Sequence, residues 1–103
     1  MEHIAILEKC FDKLIQCKNL KILINCVLNK IYNVLDEDFE ISEGYKILLS
    51  ENAKDIYNSF KNENRFVWEL DILQDTNIRL VFSKQYDDWF CSVHFSYYVE
   101  KSL

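Results

Sequence analysis

The sequence predicts an α+β fold in the order ααβαβββ, with helices packed on one face of an antiparallel sheet. Three observations predict it. Apolar residues recur at helical spacing through residues 1–35, they alternate at every second position from residue 66 onward, and no linker or low-complexity stretch divides the 103 residues. A chain with one Gly, no Pro and 50% apolar residues reads as a single domain over 1–103.

The first helix rests on Ile4, Leu7, Phe11, Leu14 and Ile15, and the second on Leu20, Leu23, Ile24, Val27, Leu28, Ile31 and Leu35. On one continuous wheel these stripes centre near ~10° and ~210°, on opposite sides, so a break is expected near Gln16 to Asn19. Asn19 caps the second helix, and the short connection predicts a helical hairpin. An acidic turn follows at Asp36, Glu37 and Asp38. The segment from Phe39 to Ser50 alternates at Tyr45, Ile47 and Leu49 and reads as a strand, with Gly44 marking a turn or bulge. Ser50 then serves as an N-cap for a third helix carrying Ala53, Ile56, Tyr57 and Phe60 and ending near Lys61.

The rest has period two. Phe66, Trp68, Leu70 and Ile72 form one strand, and Ile78, Leu80 and Phe82 form the next, joined through Gln74 to Asn77. The third places Trp89, Cys91, Val93, Phe95, Tyr97 and Val99 on one face and Phe90, Ser92, His94, Ser96 and Tyr98 on the other. An antiparallel meander results.

Charge narrows the partners. Twelve basic against seventeen acidic residues give −5, and the imbalance is uneven: residues 1–35 carry net +2 and residues 36–103 net −7. Such a chain is expected to bind neither nucleic acid nor membrane, and its acidic part would attract a basic protein. Glu2, Glu8, Lys9, Asp12 and Lys13 interrupt any leader-like apolar run, and no stretch approaches the roughly 20 apolar residues of a membrane span, so a cytoplasmic protein is expected.

Catalytic signatures are sparse. With Gly44 alone, the sequence carries no phosphate-binding glycine loop and no nucleophile elbow. Cys91 and His94 are three apart and would face opposite ways on a strand, and none of Cys10, Cys17, Cys26 and Cys91 belongs to a closely spaced pair. Reduced, buried thiols are expected, with no metal and no cofactor. Glu69 with Asp71, and Asp87 with Asp88, are carboxylate pairs that read as solvated acids rather than an acid–base couple.

The constellation singled out is acid beside aromatic: Asp36, Glu37, Asp38, Glu40 and Glu43 in one segment, and Tyr86, Asp87, Asp88 and Trp89 in another. Aromatics supply contact area with few rotors to freeze, and carboxylates accept hydrogen bonds from Lys and Arg. The expected function is a small acidic protein-binding module, not an enzyme: an immunity protein or inhibitor that neutralises a basic toxin such as a nuclease by direct binding. Ten Lys against two Arg, with eleven Ile and nine Asn, suggest an AT-rich source of the kind common among mobile bacterial elements that carry toxin–immunity pairs. The alternatives are a chaperone or adaptor that forms a homodimer or binds a partner through the second sheet face, around Val67, Val81, Phe90, His94 and Tyr98, and an unrecognised small enzyme using His94 or Glu69.

Overall fold

The long alternating segment at the end of the sequence lies inside the sheet. In the computed structural model the chain runs β1 (Ile4–Cys17), α1 (Leu20–Phe39), α2 (Glu43–Phe60), β2 (Arg65–Asp71), β3 (Asn77–Gln85) and β4 (Asp88–Ser102). The structure describes residues 4–39, 43–71 and 76–102, with side chains described within 8–37, 49–69 and 76–99. The strands form one antiparallel sheet in the order β1-β4-β3-β2, so β4 is paired on both sides, and Phe95 lies between Phe11 of β1 and Ile78 of β3.

The two helices lie on one face of this sheet, as the fold class predicts. Ile78, Leu80 and Phe82 of β3 and Cys91, Val93, Phe95 and Tyr97 of β4 point to that face and are buried with the apolar stripe of α1. Every residue of the predicted second stripe, from Leu20 to Leu35, is in the core. The predicted cap is present: the Ile22 amide donates to Asn19 Oδ1 at 3.1 Å, and the Leu23 amide donates to the Asn19 carbonyl at 3.0 Å. α1 packs on α2, β1 and β4. At one end, Phe66 stacks between Phe60 and Phe82, with centroid distances of 4.6 and 4.7 Å, and Trp89 closes the group at 6.3 Å.

The element order differs from ααβαβββ at two places. The predicted first helix is strand β1, because Phe11 and Ile15 are four residues apart and share a face at either period. Leu14 distinguishes the two: a helical stripe would cover it, whereas in β1 it points away from the helices and is 63% exposed. Fourteen residues of backbone pairing with β4 outweigh the helical spacing. The second correction is the strand predicted over Phe39 to Ser50, which is the beginning of α2. Leu49, Ala53 and Ile56 are buried four and three residues apart, so the helical core pattern extends back through Ser50, which is interior rather than a cap. Gly44 lies in the first turn of α2, and Asp36, Glu37 and Asp38 belong to the last turns of α1 rather than to a connecting turn. The helical hairpin is therefore α1 with α2. Ile72 and Gln74 lie outside the described residues.

The four cysteines are unpaired, but burial holds only for Cys91; Cys10 and Cys26 are exposed and Cys17 is half-buried. Loss of hydration pushes the Cys91 thiol up to about 12. Among the described residues, no helix is long and apolar enough to cross a membrane.

Candidate functional site

Among the described residues, the acids of the two predicted segments are not brought together. The first lies along the end of α1, where Asp36 is half-buried and Glu37 exposed; the Asp38 and Glu43 side chains, and Glu40 altogether, lie outside the described residues. The second is the turn between β3 and β4. α1 starts beside that turn, because Leu20 shares a cleft with Lys84 and Trp89. Sixteen residues of helix then carry Asp36 about 24 Å along the axis. The two segments occupy opposite ends of α1.

The β3–β4 turn is tight. Gln85 pairs with Asp88, which leaves Tyr86 and Asp87 as a two-residue loop. Such loops need left-handed backbone, and Tyr86 adopts it, with φ of 59° and no glycine to relieve it. Its side chain is 99% exposed. Asp87 is also exposed, while Asp88 is half-buried and accepts a 3.0 Å hydrogen bond from Gln16 Nε2 of β1. Trp89 belongs to the core, 7% exposed against Phe66, so it supports the turn from beneath and is removed from the predicted contact surface.

The sheet face away from the helices carries a second arrangement. The register places Glu69, Arg79, His94 and Asp12 in one row across all four strands. Arg79 Nε meets Glu69 Oε1 at 3.4 Å, and His94 Nδ1 meets Asp12 Oδ1 at 2.6 Å. A shallow depression of about 290 Å³ lies along this row, bordered by Cys10, Asn77 and Ser96. The Cys10 thiol is held above its ordinary range, first by lost hydration and then by the Glu8 and Asp12 carboxylates, which disfavour a reactive thiolate. Cys91 and His94 face opposite sides, as predicted, and Glu69 is engaged by Arg79, while the Asp71 side chain of the predicted carboxylate pair lies outside the described residues. Among the described residues, no three His, Cys, Asp or Glu side chains converge as a metal site.

The next row on this face is less polar: Val67, Val81, Ser92 and Leu14. Leu14, Val67 and, further along β4, Tyr98 are exposed, while Val81 and Phe90 are half-buried. The sequence hides the Asp12–His94 contact because the helical spacing of residues 4–15 predicts a helix for Asp12. The period-two signal for it is partial: Glu8, Cys10, Asp12 and Gln16 fall on even positions, but Lys9 and Lys13 are odd and Leu14 is even.

Neither the comparison with protein-family models nor that with curated proteins finds a match for the chain.

Proposed function

We propose that the protein is a small acidic binding module, an immunity protein or inhibitor that blocks a basic protein such as a nuclease toxin by direct contact. The observation that carries this reading is Tyr86, fully exposed at the tip of a strained two-residue turn beside an exposed Asp87. A bulky residue held in left-handed backbone costs about 1–2 kcal/mol relative to right-handed backbone, and no core contact of its side chain offsets that cost. Tyrosine supplies much contact area for two rotors, and the neighbouring carboxylate draws Lys and Arg during encounter. Net charge of −5 acts in the same direction.

Low-salt affinity purification from the native source, followed by binding kinetics with the recovered basic protein, tests the reading. Tyr86→Ala is expected to speed dissociation about tenfold or more, and Asp87→Asn to slow association and flatten its salt dependence. Unchanged rates in both variants, or no stoichiometric basic partner, would overturn it.

A second reading has its own observation. Leu14 and Val67 are the exposed ends of a row on the open sheet face that also holds Val81 and Ser92, and a chaperone or adaptor would dimerise or hold a partner there. Under that reading, sedimentation shows a concentration-dependent dimer that Leu14→Lys and Val67→Lys dissolve, while Tyr86→Ala leaves it intact.

A further inference from the structure

We propose that the cleft between Lys18, Lys61 and Lys84 binds a small phosphate-bearing anion. These ammonium groups come from three segments distant in sequence: the link before α1, the residue after α2 and the end of β3. The fold brings them around a cleft of about 280 Å³ in a chain whose net charge is −5, with Glu63 the acidic residue among the lining groups. All three side chains are exposed, so their ammonium groups remain solvated and available to an anion seated in the cleft.

The rest of the lining donates in the same sense. The amides of Asn19, Asn62 and Asn64 are neutral donors at the rim, and Trp89 supplies an apolar wall. α1 begins here with no acidic residue in its first turn, so its positive end is uncompensated by its own sequence. Asn19 takes the Ile22 and Leu23 amides, and the helix itself offers no carbonyl to those of Leu20 and Lys21. Lys21 adds a fourth cation beside the cleft, its Nζ 5.9 Å from the centroid of the Tyr57 ring, which also lines it.

Three ammonium groups match a dianion with charge spread over several oxygens better than a single carboxylate. The volume, about 280 Å³, is just under the roughly 300 Å³ at which small-molecule sites begin, which suits a phosphate or a small phosphate compound.

Backbone-amide NMR titration of the full chain tests the proposal, using inorganic phosphate, pyrophosphate and a nucleoside diphosphate at constant ionic strength, with chloride as control. Saturable shifts are expected at residues 18–22, 62–64 and 84. Lys61→Gln and Lys84→Gln should each weaken binding about three- to tenfold, whereas Lys54→Gln, on the exposed surface of α2 outside the cleft, should not. Equal affinity for all three ligands assigns the site to phosphate itself, and tighter binding of the diphosphates assigns it to a larger phosphate compound. Shifts that are linear, that chloride reproduces, that saturate elsewhere, or that persist unchanged in the Lys61 and Lys84 variants overturn it. The outcome is independent of Tyr86 and of any protein partner.

Discussion

His94 Nδ1 and Asp12 Oδ1 lie 2.6 Å apart, directly opposite one another in the β4–β1 register, 82 residues apart in sequence. The ring nitrogen donates and the carboxylate accepts, which ties the edge strand to its neighbour on the open face. Both side chains are more than half exposed, at 51% and 70%, so solvent screens the contact. A double-mutant cycle over His94→Gln and Asp12→Asn is expected to give a coupling of roughly 1 kcal/mol or less. Coupling above about 3 kcal/mol would mean that the pair is enclosed in solution.

Alkaline pH should destabilise the protein through Cys91. Its folded value, about 12, lies above the ordinary 9.0, so between these limits the native thiol keeps a proton that the unfolded chain releases. The contribution is therefore fully present below pH 9.0 and is lost as pH rises towards 12. Urea midpoints of the parent and Cys91→Ala, compared across that window, should converge as pH rises. Native-state thiol labelling should modify Cys10 and Cys26 first and Cys91 only on unfolding.

Leu14 and Leu23 test whether residues 4–17 form a strand. Leu14→Thr, on the open face, should change stability by within about 0.5 kcal/mol, whereas Leu23→Ala, with no exposed surface, should cost about 2–5 kcal/mol. A Leu14→Thr loss comparable to that of Leu23→Ala would return the segment to a buried helical stripe. Chemical denaturation of both variants decides this.

Tyr86→Gly should stabilise the fold while weakening partner binding. Glycine occupies φ of 59° without the steric cost that tyrosine carries, which is expected to raise stability by about 1 kcal/mol despite the greater freedom of the unfolded chain. Thermal melts check the first half. A destabilised Tyr86→Gly variant would show that the tyrosine ring makes a stabilising contact.

Lys13 of β1 and Lys30 of α1 approach each other where helix meets edge strand, and the Lys30 ammonium holds Lys13 below the ordinary lysine range. Lys30→Gln should let Lys13 titrate closer to 10.5, read from its side-chain ¹⁵N or ¹³C shifts. An unchanged titration would show that the two side chains stay apart.

The sequence by itself determined the α+β class, the α1 core stripe with its Asn19 cap, and the meander with its inner and outer faces. In those places the period of the apolar residues and the local backbone chemistry agree, so neighbours along the chain carry the signal. Tertiary structure decided β1, the beginning of α2 and the grouping of every surface. Phe11 and Ile15 fit either period, and only pairing with β4 exposes Leu14 and sets Asp12 opposite His94. The turn at Tyr86 was legible as an acidic aromatic segment, but the burial of Trp89 depends on Phe66, 23 residues away. The lysine cleft left no local mark, because Lys18, Lys61 and Lys84 are ordinary solvated cations until the helix ends and the β3–β4 end meet. Periodicity records which side of an element is buried; it does not record which elements become neighbours.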